Sequence, residues 1–222
     1  MQKSLRSENS WFPVSAPQGA PQAFGGPEFG WALFQLLVQK IDSRAAAKAG
    51  DLVAAIAFLT GRIIQRAAFR DAPDRFRLDV SGNGISFLRN DEVNAKIGSL
   101  TAGSLGSILI DSALLSGARR MPEIAQVISN AQETMRRRGA ADLRDIELSA
   151  SPAMLAAEVQ SDVDALLWDA SDRAALVRAF IQSCGHAIGY QRTRFCPAEA
   201  AELCLSVALY AGWLDQRENL RS

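Results

Sequence analysis

The residues best suited to binding chemistry lie in one stretch, residues 185–196. It carries His186, Tyr190, Arg192 and Arg194, and apolar segments flank it on both sides. Two guanidinium groups and a phenol could together hold a carboxylate or a phosphate. We predict that this stretch is a loop between two apolar helices, where ligand-binding side chains are commonly found. The alternative is an ordinary helix connection whose arginines are solvated or paired with nearby carboxylates.

Catalytic chemistry has little support, because His186 is the only histidine in the chain. Cys184 lies two residues before it, and two such residues on one helix point about 200° apart. They could form a dyad only if the helix ended between them, which Gly185 and Gly189 make possible. The chain has no phosphate-binding loop ending in Gly-Lys-Ser or Gly-Lys-Thr, no dinucleotide-binding fingerprint after a strand and no serine-nucleophile turn. We therefore predict no catalytic residue, and a protein that is not an enzyme is the favoured interpretation.

A metal site is equally poorly supported by the cysteines, which are Cys184, Cys196 and Cys204. Their spacings from one another and from His186 match no common zinc pattern. Carboxylates cluster between residues 158 and 172, but a di-metal bundle would also need several Glu-x-x-His motifs. We predict no metal and no cofactor, and we expect Cys184 and Cys204 to be small core residues.

Small residues recur every four positions at Gly98, Ala102 and Gly106. On a helix spanning residues 92–116 this spacing would leave a shallow groove in which another helix could approach closely. Glycine costs about 1 kcal/mol against alanine inside a helix, so close packing or a bound group should offset the cost. We predict an interaction surface here; the alternative is that the glycines mark a break between two helices.

Residues 1–27 form a predicted arm, in which four prolines and three glycines prevent regular structure. The arm nevertheless carries Trp11, Phe12 and Phe24, which a fully solvated linker rarely does. We predict that these aromatic side chains dock on the body of the protein or on a second subunit. A partly disordered terminus is the alternative.

The charges are balanced, with 24 basic and 24 acidic residues. A net charge of zero provides no long-range attraction for nucleic acid or anionic lipid, and little repulsion between copies. The triplet Arg136-Arg137-Arg138 before Gly139 is typical of a helix end with a left-handed cap. We therefore consider nucleic acid an unlikely partner and expect self-association, as a homodimer, to be easier.

The cellular location is predicted from what the chain lacks. An odd number of cysteines is not a disulfide framework, and the first ten residues do not resemble a signal peptide. The longest strongly apolar run without charge, Ile97 to Ile110, has 14 residues and is too short to span a bilayer. We expect a cytoplasmic protein without a membrane span. Abundant alanine, and arginine in place of lysine, suggest a GC-rich bacterial genome.

Hydrophobic periodicity predicts a mainly helical fold with a small β-hairpin. Alternating apolar residues on either side of Ser-Gly-Asn-Gly predict the hairpin over residues 76–88, and residues 146–148 are a candidate third strand. Apolar stripes at helical spacing predict about seven helices. Their approximate ranges are 28–49, 51–70, 92–116, 122–138, 151–168, 172–188 and 197–215. We assign residues 28–222 to a single helical domain, with a possible subdivision near 139–151.

Two functions from different classes fit these observations. The first is a non-enzymatic helical interaction protein, such as an adaptor, a chaperone-like protein or a regulatory subunit, which acts through self-association and protein binding. The second is a small-molecule-binding protein, or an enzyme of unfamiliar type, with its site around residues 185–196. We favour the first, because the aromatic arm, the small-residue spacing and the balanced charge all suit contacts between proteins.

Overall fold

The computed structural model describes residues 27–120, 123–143, 146–167 and 172–215. Within these ranges the chain forms nine α-helices and one two-stranded antiparallel sheet, which confirms the mainly helical fold with a small hairpin. The helices are α1 (Pro27–Leu37), α2 (Ala49–Asp71), α3 (Asp91–Gly98), α4 (Leu105–Leu115), α5 (Ile124–Arg138), α6 (Pro152–Ala157), α7 (Gln160–Leu167), α8 (Arg173–Gln191) and α9 (Pro197–Trp213). The strands are β1 (Arg77–Val80) and β2 (Ser86–Arg89).

Three predicted elements are wrong in detail. The first helix ends its α-helical part at Leu37 and continues as a π-helical turn, Val38–Asp42, so residues 43–48 are not helical. The predicted helix 151–168 is interrupted between α6 and α7. Residues 146–148 form no strand, and the sheet contains two strands in the described part of the chain. The side chains of Ile146 and Leu148 instead pack against Gly50 at the start of α2.

The predicted helix 92–116 is also wrong as a single helix, and the alternative of a break is confirmed. Helix α3 ends at Gly98, and α4 begins only at Leu105. Gly103 lies in the break with a φ of 80°, a conformation that suits glycine. The Ser104 side chain then accepts a hydrogen bond from the Ser107 amide, which caps the start of α4.

Helix α2 lies at the centre of the core and packs against α8, α9 and α6. Twelve consecutive residues, from Gly50 to Gly61, are buried, so this helix has no solvated face over that length. By length and composition alone α2 could cross a membrane, but 78% of its most apolar window is buried inside the protein. Core helices of this kind pass the same test, and no second candidate span occurs in the described ranges.

Helices α2 and α9 approach each other closely at Gly61. A β-carbon added at Gly61 would lie 2.9 Å from the backbone of Gly212 and would overlap the carbonyl oxygen of Ala208. Gly212 in turn faces Ile97 and Val93 of α3. The absence of side-chain atoms at Gly61 and Gly212 therefore allows the two backbones to meet.

A buried carboxylate fixes the start of α2. Asp51 is fully buried and accepts hydrogen bonds from the amides of Lys48 and Ser149, at 3.0 and 2.9 Å. Arg44 donates to the same carboxylate at 3.0 Å and also forms two 2.7 Å bonds with Glu158. These bonds compensate the cost of burying the Asp51 charge and attach residues 146–150 to α2.

The hairpin pairs β1 with β2 in a register that sets Leu78 opposite Leu88 and Val80 opposite Ser86. The outer edge of β2 is bonded to the end of α9, because the Asp215 amide donates to the Ser86 carbonyl. Phe87 packs against Tyr210, with ring centroids 6.3 Å apart. Only β2 is thus attached to the helical body by its edge.

The predicted arm, residues 1–27, lies almost wholly outside the described residues. Trp11, Phe12 and Phe24 belong to that part of the chain, so their docking stays a prediction. The structure begins at Pro27, the first residue of α1, which packs along α8.

Candidate functional site

The stretch around residues 185–196 is organised differently from its prediction as a loop. Helix α8 continues to Gln191, so His186 and Tyr190 lie on its last two turns, four residues apart on one side. Only residues 192–196 form the connection to α9, and Arg192 and Arg194 lie there. Gly185 does not end the helix; it packs against Ser112 and Ile108 of α4.

Three side chains of this region converge on one carboxylate, Asp42 at the end of the π-helical turn. Arg194 Nη1 donates to both Asp42 oxygens, at 2.8 and 2.9 Å. The Tyr190 hydroxyl and the Gln191 Nε2 each donate to Asp42 at 3.1 Å. The Asp42 side chain is only 8% exposed, so the contact with Arg194 is largely shielded from water on the acidic side.

The carboxylate also changes the acidity of its neighbour. Burial, and then the negative charge of Asp42, raise the pKa of the Tyr190 phenol above its ordinary value. The phenol therefore remains a hydrogen-bond donor at neutral pH. Asp42 already binds the Tyr190 hydroxyl and one terminal nitrogen of Arg194, so an anionic ligand would compete with it for these donors.

His186 lies one turn before this cluster, among aromatic rings. Its imidazole is 5.3 Å from Trp31 in an edge-to-face arrangement and 5.8 Å from Phe34, centroid to centroid. Burial lowers the pKa of His186, so the neutral form is favoured. Phe34 also contacts Tyr190 edge-to-face at 5.7 Å, centroid to centroid, which makes the contact between α1 and α8 aromatic along two turns.

Arg192 does not join this cluster; it is exposed and has no hydrogen bond or ion pair with the described residues. The structure thus brings Tyr190 and Arg194 together at Asp42, places His186 nearby and leaves Arg192 apart. Sequence reasoning missed Asp42, which lies about 150 positions away in the chain. No local pattern connects residues at that separation.

The small residues Gly98, Ala102 and Gly106 do not share a helix face, because they fall on α3, on the connecting segment and on α4. Gly98 contacts Ile128 of α5, Ala102 is exposed, and Gly106 faces the backbone of Ser99. The predicted groove is therefore wrong. Small residues do allow close helix contact elsewhere, at Gly61 and Gly212.

Two of the cysteines lie inside the core, as expected. Cys184 and Cys204 are 1% and 0% exposed, on α8 and α9. The Thr60 hydroxyl of α2 lies 3.2 Å from the Cys184 sulfur. Burial, with a hydrogen bond that the Cys204 thiol donates to Cys184, raises the pKa of Cys204 well above its ordinary value, which keeps the thiol protonated and unreactive. Cys196 is exposed.

Two surface clefts of the described residues lie away from the predicted ligand site. One cleft of about 620 Å³ lies beside β1, between residues 74–79 and 89–92. A second, of about 550 Å³, lies between the start of α2 and the start of α9. Neither is lined by His186, Tyr190, Arg192 or Arg194. Within the described ranges, no group of three or more His, Cys, Asp or Glu residues is placed to hold a metal ion.

Helix α4 presents an unusual apolar surface. Its inner side is buried against α8 and α9 through Leu105, Leu109 and Ala113. At its outer side Leu114 is 52% and Leu115 87% exposed. Asp111 is the only charged residue of the helix; it is exposed and lies on the same outer side, three and four residues before the two leucines. Exposed apolar side chains of this kind are found at protein interaction sites.

Comparison of the chain with protein-family models, with curated proteins and with solved structures finds no match.

Proposed function

We propose that this protein is a non-enzymatic helical interaction protein that acts through self-association and protein binding. The observation that carries the proposal is the outer side of α4, where Leu114 and Leu115 project from a helix with one charged residue. Large apolar side chains that are exposed next to each other favour a partner that covers them. In the described part of the chain the main neighbours of α4 are α3, α8 and α9.

The contact energy available at this surface is appreciable. Full burial of one leucine side chain contributes about 1.5–3 kcal/mol, so Leu114 and Leu115 together could supply a substantial share of the energy of a weak complex. Ile110, one turn earlier, is partly buried and extends the apolar character of this side. Adaptors and regulatory subunits act through such surfaces, and no reaction chemistry is required.

The alternative, a small-molecule-binding protein, has less support from the geometry. Arg194 and Tyr190, two of the four candidate ligands, are already bonded to Asp42. A ligand that binds there would have to compete with the contact between Arg194 and both oxygens of Asp42, which is already formed within the chain.

The experiment is a comparison of the wild type with the double variant Leu114→Glu/Leu115→Glu by sedimentation velocity over a range of protein concentrations. We expect the wild type to self-associate and the variant to associate at least tenfold more weakly, because two charges would have to be desolvated in the contact. Ala174→Glu places a charge at an exposed position of α8 and serves as the matched control. Equal association of all three proteins would contradict a role for α4, and a wild type that is monomeric throughout would contradict self-association.

A further inference from the structure

The outer edge of β1 has backbone groups without partners. Ser81 N donates to Ile85 O at 2.9 Å, and bonded pairs alternate along an antiparallel ladder. Arg77 and Asp79 therefore exchange their backbone hydrogen bonds with β2. The amide and carbonyl groups of Leu78 and Val80 point the other way, toward the outside of the sheet.

Within the described chain, these outward groups are not used by another strand. Leu78 has no outward backbone partner, and the Val80 amide is bonded only to the adjacent Asp79 carboxylate, at 3.0 Å. A side-chain bond of this kind gives the amide of an edge strand an acceptor, and another acceptor can replace it. An unpaired strand edge is a ready template for another strand.

The side chains of β1 are also exposed. Leu78 and Val80 are 53% and 57% exposed, which is a large apolar area for a strand of four residues. The cleft of about 620 Å³ beside β1 carries charges of both signs. Arg77, on this strand, has no ion pair within the described chain, while Asp79 has only a long contact with Arg89, at 3.7 Å.

The sequence of the strand is complementary to itself. Residues 76–80 read Phe-Arg-Leu-Asp-Val, so an apolar residue lies at the centre and at each end, with a cation and an anion between them. An antiparallel pair of two such strands, centred on Leu78, sets Arg77 of each copy opposite Asp79 of the other. Directly opposite residues on paired strands interact, and opposite charges there are favourable.

We propose that β1 pairs with β1 of a second copy of this chain, forming a two-fold dimer with a continuous four-stranded sheet. Leu78 lies on the two-fold axis, and its amide and carbonyl bond to those of its counterpart. The Asp79 carboxylate turns from the Val80 amide to Arg77 of the second copy, and the Val80 amide is then free to donate to the second Phe76 carbonyl. The interface is isologous, so it closes at two copies.

This inference rests on the proposed function, since it supplies one contact for self-association, but it uses a different surface from α4. The apolar outer side of α4 remains available for its own contact with a further copy of this chain or with another protein. A short strand pair buries little area, so we expect a dimer whose population depends strongly on protein concentration.

The test uses two single-charge variants, Arg77→Asp and Asp79→Arg, each measured alone and then mixed in equal amounts. Alone, each variant sets like charges opposite each other at two places, and we expect its dimer to be weaker than that of the wild type by about tenfold or more. In the mixture, every acidic residue faces a basic one. We therefore expect native mass spectrometry to show a heterodimer, restored to near wild-type affinity, with little of either homodimer.

A backbone variant provides an independent check. Leu78→Pro removes only an outward amide, which a proline at a strand edge can lack without loss of the ladder to β2. We expect it to abolish the dimer while circular dichroism and the melting temperature stay near those of the wild type. If Leu78→Pro unfolds, the charge variants still decide the question.

The experiments distinguish a failure of the β1 dimer from a failure of the proposed function. If the wild type associates, each charge variant associates equally well and only the α4 variant is impaired, the β1 dimer is contradicted and the proposed function stands. If the mixture restores association that each charge variant has lost, β1 is the interface whatever the α4 variant does. A wild type that stays monomeric at its highest soluble concentration contradicts both.

Discussion

Helices α2 and α4 are both strongly apolar, and both pack on α8 and α9, but their surroundings differ. Helix α2 also contacts α6, α3 and the π-helical turn, so its first twelve buried residues have neighbours in every direction. Helix α4 has α3 as its main further neighbour in the described chain. Composition alone therefore does not decide burial: the same kind of helix is central in one place and half-exposed in another, according to what packs around it.

The largest expected effect comes from breaking the central contact. Gly61→Ala adds a β-carbon that overlaps the Ala208 carbonyl of α9, and neither backbone can move without separating the two helices. We expect a loss of at least about 4 kcal/mol in the free energy of unfolding, measured by urea denaturation. Gly189→Ala is the matched control, because its β-carbon would meet nothing closer than the Ser116 hydroxyl at 3.7 Å. It should stabilise α8 by up to about 1 kcal/mol.

A second prediction compares the two sides of α4. Leu109 is fully buried and Leu115 is 87% exposed, on the same helix. Leu109→Ala should lower the free energy of unfolding by about 3 kcal/mol, because it leaves a cavity against α8 and α9. Leu115→Ala should change it by less than about 0.5 kcal/mol. Equal losses in denaturation experiments on the monomer would mean that the outer side of α4 is covered by another part of the chain.

Helix α1 and the π-helical turn after it contact α8 through polar as well as apolar side chains, so we expect effects of intermediate size there. Asp42→Asn keeps the shape of the side chain but removes the charge that Arg194 binds. We expect a loss of about 1–2 kcal/mol in the free energy of unfolding. Arg192→Gln, nearby and without a partner in the described chain, should have no measurable effect. A loss as large for Arg192→Gln would contradict the assignment of Asp42 as the local anchor.

The smallest expected effect is a pH dependence from His186. Burial lowers its pKa in the folded protein, so the unfolded chain binds the proton at a higher pH than the folded one. The free energy of unfolding should therefore decrease as the pH falls from about 6.5 through the lowered value. His186→Phe should show a shallower decrease in the same window, measured by denaturation at several pH values. A steeper decrease in the variant would mean that the folded protein favours the charged imidazole.

Local signals in the sequence predicted much of the fold. The hairpin followed from Ser-Gly-Asn-Gly between alternating residues, and Gly139 adopts the expected left-handed cap, with φ 61°, after three arginines. The break before α4 was harder, because Gly98 and Gly106 fit a helix groove as well as a helix end. Its local signal is Ser104, whose capping side chain could have favoured the break.

The candidate site was predicted less well, for a physical reason. Tyr190 and Arg194 were recognisable as possible ligands, but their partner Asp42 comes from a distant part of the chain and is positioned by the π-helical turn after α1. Long-range contacts depend on the whole packing arrangement, which residue spacing does not encode. The free edge of β1 was likewise invisible until the register of the hairpin was known.

The contact between α2 and α9 has a consequence for how the protein is made. Its two halves are separated by more than a hundred residues, and loops of that length close slowly. During synthesis on the ribosome, α2 emerges long before α9, so its apolar surface lacks its main partner until nearly all of the described chain has been translated. A nascent chain of this protein should therefore depend on cellular factors that shield apolar segments, and translation stalled before residue 197 should yield a product prone to aggregation.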